Sequence, residues 1–444
     1  MTRAPDRSER SAQLRLAVPL AAQQLGFQLM GSVDAAWLGR YDDTALAAAG
    51  VGNNLLFAIS SIGLGIVMGL DTVIPQAIGA GRHHEARRYL SAGLRLAVLV
   101  GLAATLVVLA TPLLLDVAGV PAEVARDARI YVYLRALGIA PFLLSIALRS
   151  YLAARSITRP LVVAVIAGNV LNALLDRVLI FGVDALDIPA LGVAGAAMAT
   201  VTVQLLIVVV YLGAVRALDQ TPAPASTRAD LVEIARYGGP IGGQLFAEVG
   251  IFGVSTMLAA HLGTLPAAAH TIALNLSSFT FSVAVGVGAA TSVRVGHAIG
   301  AGDLALARRR GVIGLGMGVS VMATCAIVLV VAPSVIARVF TDDASVIAAT
   351  IPLLQIASVF QLSDGAQAIA AGALRGLGDT RATLVGNVIG HYGIGLPISL
   401  ALGFGAGMGA PGLWWGLSAG LTGTALYLVL RFLAATRTPG RSSR

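Results

Sequence analysis

The chain has 444 residues, of which 57% are apolar and only 12% charged, and its mean hydropathy is +0.84. About a quarter of the residues of a soluble protein carry charge, so this composition predicts a membrane protein with no room for a sizeable soluble domain. All 30 basic residues are arginine, and Cys325 is the one cysteine. Without lysine, a phosphate-binding loop and a Schiff-base enzyme are excluded, and one cysteine excludes internal disulfides.

Apolar runs long enough to cross a bilayer recur along the whole chain. A transmembrane helix needs about 20 such residues to cross about 30 Å of hydrocarbon. The runs lie at residues 14–38, 46–76, 89–114, 130–153, 160–182, 190–215, 236–262, 266–293, 311–336, 346–372, 382–404 and 411–435. We therefore predict an all-α membrane protein with about twelve transmembrane helices.

The chain is internally duplicated. Pro19 matches Pro240 at an offset of 221 residues, and the sequence Ala-Ile-Gly-Ala-Gly recurs at 77–81 and 298–302. Each half has an even number of spans, so we expect two parallel six-helix bundles related by a pseudo-two-fold axis along the membrane normal. The predicted organisation is an N-terminal cytoplasmic tail at 1–13, an N-terminal bundle at 14–218, a cytoplasmic linker at 219–230, a C-terminal bundle at 231–436 and a cytoplasmic tail at 437–444.

The placement of arginine predicts the orientation. If both termini are cytoplasmic, most arginines fall on cytoplasmic segments, as the positive-inside rule requires. The net charge of +8 then matches anionic inner-leaflet lipid, and nucleic-acid binding is not needed to explain it. We expect a monomeric multi-pass protein of a bacterial inner membrane with both termini in the cytoplasm.

Acidic residues inside the spans are candidates for function, because an ionisable group there costs about 2.5–3.5 kcal/mol. In the first half, Asn169, Asn172 and Asp176 follow an i, i+3, i+7 pattern and share one face of the fifth span. Asp34 of the first span can face them, and Thr200 is available on the sixth. These oxygens would suit sodium, or a proton if two acids share it. A structural network that packs two helices is the alternative.

The second half has its own polar stripes on apolar helices. Glu248 follows Gln244 by one turn, and Asp364 is flanked at three residues on either side by Gln361 and Gln367. Polar stripes of this kind point toward the interior of a helix bundle. The two acids could neutralise a cationic substrate or take up a proton or sodium, and releasing one on binding the other would give exchange. A purely structural role is again the alternative.

Other residues are less informative. Phe27, Phe246 and Phe360 are possible stacking partners for a flat cation, with lipid or core contacts as the alternative for each. Asp71 lies close to a cytoplasmic loop, and pairing with a nearby arginine is its favoured interpretation. Four histidines near or within the spans lack the spacing of a metal site and are interpreted as packing residues: His261, His270, His297 and His391.

Several motifs together carry a family resemblance over nearly the whole chain. They are Pro19 with Val33-Asp34, the paired Ile-Gly-Ala-Gly loops, and the sequences at 294–297, 371–376 and 412–416. This set is similar to the multidrug and toxic compound extrusion (MATE) transporters, and most similar to their NorM-like branch.

The resemblance implies a secondary antiporter, not an enzyme, that expels small cationic drugs or toxic metabolites in exchange for Na⁺ or H⁺ by alternating access. It implies no cofactor and no bound metal beyond a transported Na⁺. It also assigns one cation site to each lobe: Asp34, Asn172, Asp176 and Thr200 in the first, and Glu248 and Asp364 in the second.

A flippase for lipid-linked sugars or lipids is the alternative within the same superfamily. Such a protein would be expected to line its cleft with arginine, because the guanidinium group holds phosphate in a bidentate manner. The cleft candidates of this chain are acidic, which favours a cationic substrate.

Overall fold

The computed structural model describes residues 4–113, 115, 119–219 and 224–437, and this part of the chain is almost entirely helical. The predicted all-α architecture is therefore confirmed. The helices of the first half are α1 (Ala4–Tyr41), α2 (Asp43–Val67), α3 (Leu70–Gly79), α4 (His83–Ala110), α5 (Ala122–Ala136), α6 (Ile139–Ala154), α7 (Arg159–Phe181) and α8 (Val193–Leu218). Those of the second half are α9 (Arg228–His261), α10 (Thr264–Gly300), α11 (Leu304–Val331), α12 (Pro333–Arg338), α13 (Ala344–Leu377), α14 (Thr380–Gly405) and α15 (Ala410–Ala435).

The helices supply the predicted number of spans. Ten helical stretches in the described residues are long and apolar enough to cross a membrane, with α2 and α3 counted together. The pair α5 and α6, bent by 43° at a short break, makes an eleventh. The helix α1, with 38 residues, is also long enough, although it is less apolar than the others. A twelve-span layout fits this set.

The duplicated Gly-Ala-Gly sequences end equivalent helices. Gly79 ends α3 and Gly300 ends α10, and two residues later Gly81 and Gly302 adopt φ angles of +74° and +76°. Only glycine adopts this left-handed conformation without steric cost, so the repeated glycine has a backbone role. After the second loop, Asp303 caps α11 by accepting a hydrogen bond from the Leu306 amide at 2.8 Å.

Contacts divide the chain into two compact units. The N-unit comprises Ala22–Ile74 and Arg82–Gly242, and the C-unit comprises the residues up to Ala21, Pro75–Gly81 and the chain from Gly243 onward. This division differs from the predicted bundles at 14–218 and 231–436, because the start of α1 and the end of α3 pack with the C-unit and the start of α9 packs with the N-unit.

Polar contacts explain the assignment of these exchanged segments. In the C-unit, Gln13 of α1 donates to Thr291 at 2.9 Å, and Gln76 of α3 donates to the Gly376 carbonyl at 2.9 Å. In the N-unit, Glu233 of α9 accepts a hydrogen bond from the Tyr89 hydroxyl group at 2.7 Å. Local composition alone does not reveal such long-range partners.

The predicted N-terminal tail is also helical where it is described, because α1 begins at Ala4 and not near residue 14. Within the predicted linker, α8 ends at Leu218 and α9 begins at Arg228. Residues 220–223 of that linker and 438–444 of the predicted C-terminal tail lie outside the described residues.

One helix of the C-unit departs from regular α geometry. Within α14, Val388–Gly395 and Ala401–Gly405 are π-helical. Gly390 and Gly420 of α15 allow close approach here, since a Cβ on Gly420 would lie 2.6 Å from the Gly390 carbonyl oxygen. The π turns alter which side chains of α14 face inward.

Candidate functional site

The N-unit site is built where α1, α7 and α8 meet. Asn169 of α7 donates to the Gly26 carbonyl of α1 at 3.0 Å and to its own helix at Val165, 2.9 Å away. Asn169 thus lies on the predicted polar face, but its amide group is used to hold α7 against α1. The next polar turns of the same helix carry Asn172 and Asp176.

The predicted first-half residues are brought together. The hydroxyl group of Thr200 donates to Oδ2 of Asp34 at 2.9 Å, and the carboxyl groups of Asp34 and Asp176 are close neighbours. Asn172 and Asp176 are both 0% exposed. Several polar atoms of this cluster have no hydrogen-bond partner within the described residues. They are the two amide atoms of Asn172, both carboxylate oxygens of Asp176, and Oδ1 of Asp34. Such groups are costly to bury, so the cluster is incompletely satisfied by the protein alone.

Two residues near this cluster were missed by the sequence analysis. Tyr131 of α5 is buried and lies within electrostatic range of Asp34 and Asp176. The guanidinium group of Arg135, one turn later, lies 5.9 Å from the centre of the Tyr131 ring. The signal that could have found them is Arg135 itself, which lies inside the predicted span at 130–153, because an arginine within a span needs nearby partners.

In the C-unit, Glu248 is the centre of a hydrogen-bonded amide network. Gln244 and Gln367 both donate to its Oε1, at 3.0 Å and 2.7 Å. Gln367 also donates to Oδ1 of Asn387 at 3.3 Å, which connects α9, α13 and α14. The amide of Asn387 is in turn held by the Thr383 carbonyl at 3.0 Å. Gln244 and Glu248, which form the polar stripe of α9, are thus bonded to each other, and Asn387 is an additional member of the network.

Asp364 lies on the same face of α13 as Gln367, close enough to Glu248 for two negative charges to repel each other. Its side chain is buried. The third predicted polar residue of this helix, Gln361, is committed elsewhere, because Oε1 accepts a hydrogen bond from Thr280 of α10 at 2.8 Å. Gln361 therefore joins α13 to α10, while Asp364 and Glu248 form the acidic pair.

The three predicted stacking residues have different environments. Phe360 is buried in an aromatic cluster, with its ring centre 6.3 Å from that of Phe252 and 5.6 Å from that of Trp414. Phe246 is about half exposed on α9, and Phe27 is partly buried on α1. Of the three, Phe360 is the one with ring contacts among the described residues.

Asp71 has the arginine partner that its position suggested. Oδ2 of Asp71 lies 3.2 Å from the Arg149 guanidinium group, and both side chains are buried. Removing one member would leave an uncompensated buried charge. This pair fastens α3 to α6 in the N-unit.

Each unit thus carries carboxylate and amide oxygens at one place inside its helices, and the N-unit cluster adds the hydroxyl group of Thr200. Oxygen ligands suit hard cations such as Na⁺, and neighbouring carboxylates also suit a shared proton. Within the described residues there is no group of three or more His, Cys, Asp or Glu side chains placed to hold a metal ion.

Comparison with known proteins agrees with this architecture. A protein-family model named MatE matches the chain twice, at residues 19–178 and 240–400, which reproduces the internal duplication. The chain is 37% identical to a "Probable multidrug resistance protein NorM" of Deinococcus radiodurans, over 97% of this chain and 96% of the relative. It is 36% identical to a "Multidrug resistance protein NorM" of Burkholderia vietnamiensis, over 94% and 92% of the two chains.

The fold also matches a solved structure over almost its full length. The crystal structure of the eukaryotic MATE transporter AtDTX14 aligns with a TM-score of 0.88 at 22% identity, covering 96% of each chain. The fold and the relatives are those of a helical membrane transporter. This chain belongs to the MatE family.

Proposed function

We propose that this protein is a secondary active antiporter of the bacterial inner membrane that exports organic cations, among them drugs, in exchange for Na⁺ or H⁺ by alternating access. The observation that carries the proposal is the buried pair Asp34 and Asp176, in which three of four carboxylate oxygens have no hydrogen-bond donor among the described residues. A cation or a proton would satisfy them.

The N-unit cluster supports ion binding. Asp34, Asp176, Asn172 and Thr200 supply oxygen atoms from three helices, and no described arginine makes an ion pair with either acid. Two adjacent buried carboxylates do not both stay charged without a counter-charge. Binding of Na⁺ or of one shared proton would remove that repulsion, which couples the site to an ion gradient.

The C-unit cluster supports binding of the exported cation. Glu248 and Asp364 provide negative charge next to the aromatic side chains of Phe252 and Phe360. An organic cation gains from both, through charge neutralisation and through contact with the ring faces. A proton or Na⁺ at the same acids would compete with it, and this competition is the simplest basis for exchange.

The proposal is tested with purified protein in proteoliposomes loaded with a fluorescent cationic dye. A Na⁺ gradient and a pH gradient are imposed separately on wild type, Asp34→Asn, Asp176→Asn and Glu248→Gln. Asp43→Asn is the matched control, because Asp43 is an exposed acid in the first turn of α2. We expect one gradient to drive dye movement, the control to behave as wild type and the site variants to lose transport.

The result also separates the proposal from its main alternative. Folded wild type that moves no cationic dye under either gradient, but moves a lipid-linked phosphate compound, would make the protein a flippase. Transport that survives in Asp34→Asn and Asp176→Asn would remove the N-unit pair from ion coupling.

A further inference from the structure

His391 differs from the other deeply buried histidine of the C-unit. Its side chain is 1% exposed, and within the described residues neither ring nitrogen has a hydrogen-bond partner. His270 is 0% exposed but is satisfied: Nε2 lies 3.2 Å from the Thr256 hydroxyl group, and Nδ1 accepts from Trp414 at 3.2 Å. An unpaired buried imidazole costs stability. A packing role therefore explains His270 but leaves His391 unexplained.

The backbone of α14 turns His391 inward. His391 lies in the π-helical stretch Val388–Gly395, where its carbonyl accepts the amide hydrogen of Leu396, five residues later. A π turn contains more residues than an α turn, so adjacent side chains point in more similar directions. The hydroxyl group of Tyr392 donates to the Ala247 carbonyl of α9 at 2.9 Å. The side chains of His391 and Tyr392 therefore both face α9. Single π turns of this kind are frequent at functional sites.

His391 lies at about the depth of the acidic pair. Helices α13 and α14 are consecutive, with Asp364 thirteen residues before the end of α13 and His391 eleven residues after the start of α14. At about 1.5 Å per residue, both lie roughly 15–20 Å from the connection between the helices. One turn before His391, Asn387 accepts a hydrogen bond from Gln367, which also donates to Glu248.

Aromatic rings lie between His391 and the two acids proposed to bind the cation, Glu248 and Asp364. The ring of Phe252, one turn after Glu248 on α9, lies 6.3 Å from the imidazole ring of His391 and 6.3 Å from the ring of Phe360. Asp364 follows Phe360 by one turn of α13. Negative charge, apolar rings and an uncommitted ring nitrogen therefore occur together in the C-unit.

We propose that His391 determines substrate specificity by accepting a hydrogen bond from the N–H group of a protonated amine. The charge of that amine is balanced by Glu248 and Asp364. This inference rests on the proposed function and adds a substrate class to it: primary, secondary and tertiary ammonium ions are favoured over quaternary ones, which have no N–H group. A site that bonds an N–H group disfavours the analogue that lacks it.

The test uses two dyes that differ in one group. One is a fluorescent tertiary amine that is protonated at pH 7, and the other is its N-methylated quaternary analogue. Transport of each is measured in proteoliposomes for wild type, His391→Phe and His391→Gln. We expect His391→Phe to raise KM for the tertiary amine about tenfold and to change KM for the quaternary analogue less than about twofold. His391→Gln should restore most of the difference, because its amide oxygen accepts a hydrogen bond.

His270→Phe is the matched control, since it removes a buried histidine whose bonds are internal. It should lower the melting temperature and reduce transport of both dyes in the same proportion. If His391→Phe does not fold, His391→Met offers a flexible apolar side chain of similar length for the same comparison.

Two kinds of failure are distinguishable. A wild-type protein that transports neither dye contradicts the proposed antiport itself. A wild type that transports both, together with a His391→Phe variant that affects both equally or neither, overturns the role of His391 and leaves the antiport intact.

Discussion

Thr200 connects α8 to the N-unit acids through one hydroxyl group. The hydroxyl group donates to Asp34 at 2.9 Å, while its second contact is within its own helix, at 3.0 Å from the Ala196 carbonyl. A methyl side chain would leave Oδ2 of Asp34 without its donor. The site would keep both carboxylates but lose one oxygen ligand and the alignment of Asp34.

Thr200→Ala should reduce ion-driven dye transport about three- to tenfold, which corresponds to the net loss of one hydrogen bond of about 0.7–1.4 kcal/mol. Thr202→Ala is the control, because Thr202 is exposed on the same helix and donates to the Met198 carbonyl at 2.8 Å. Initial transport rates at several ion concentrations measure the effect. Equal rates for the two variants would show that the Asp34 contact is not needed for coupling.

At the scale of helices, glycine permits the close packing of α10 and α13 in the C-unit. A Cβ on Gly372 would overlap the backbone carbonyl oxygen of Gly288, so neither helix could keep its position. Small residues at helix contacts are the usual means of close packing in membranes. On the neighbouring helix α11, a Cβ added to Gly316 would meet no other atom within 4 Å.

Gly372→Ala should destabilise the protein by about 1–3 kcal/mol, because the backbone must move apart. Gly316→Ala should be neutral or stabilising by up to about 1 kcal/mol, since alanine favours helix and meets no neighbour. Thermal unfolding of the purified proteins in detergent compares them. A Gly372→Ala protein as stable as Gly316→Ala would mean that α10 and α13 can separate freely.

The start of α1 is held to the C-unit by an ion-pair cluster. Glu9 pairs with Arg294 of α10 and accepts a hydrogen bond from Nε of Arg310 of α11 at 3.0 Å. Burial acts to raise the pKa of Glu9, but the hydrogen bond and charge of Arg310 and the charge of Arg294 outweigh it. The pKa is therefore held below its usual value of 4.5.

Glu9→Gln should lower stability by about 1–2 kcal/mol at pH 7. Because the folded-state pKa is lowered, the contribution is fully present above about pH 4.5 and is lost as the pH falls through the folded-state value. The melting temperatures of wild type and variant should therefore converge between pH 5 and about pH 3. Glu123→Gln, at an exposed first-turn position of α5, should show no such convergence. A gap that widens in acid would contradict the lowered pKa.

At the scale of the whole molecule, two helices change unit at equivalent repeat positions. The change occurs between Ala21 and Ala22 in α1 and between Gly242 and Gly243 in α9, and these points are related by the offset of 221 residues. Pro19 and Pro240 lie just before them. The change of unit within α3, between Ile74 and Pro75, has no counterpart in α10, so the duplicated division is limited to α1 and α9.

The proposed topology places the segment before α9 in the cytoplasm and the loop between α12 and α13 outside. In a Cys325→Ser background, Ala225→Cys and Asp342→Cys each present an exposed thiol. A membrane-impermeant maleimide should label the first in inside-out vesicles and the second in right-side-out vesicles. Labelling of Ala225→Cys from the outside would reverse the orientation inferred from the arginines.

Features that depend on neighbours in the chain could be predicted from the sequence. Apolar runs define helices because the bilayer requires every backbone group to be bonded within its own segment. The repeat at Pro19 and Pro240, the glycine loops and the shared face of Asn172 and Asp176 follow from local pattern and spacing. The grouping of Asp34 and Thr200 with Asp176 was implied by the family resemblance. The orientation and the roles of these acids stay predictions.

Features that depend on long-range contacts were decided by the tertiary structure. Asn169 matched the polar face of α7, yet its amide group is used by the Gly26 carbonyl; Gln361 is similarly taken by Thr280. The exchange of helix segments between units follows from partners more than a hundred residues away, such as Tyr89 for Glu233. His391 and His270 look alike in sequence, but only the packing of helices determines which imidazole finds a partner, because hydrogen bonds need neighbours that the linear order does not specify.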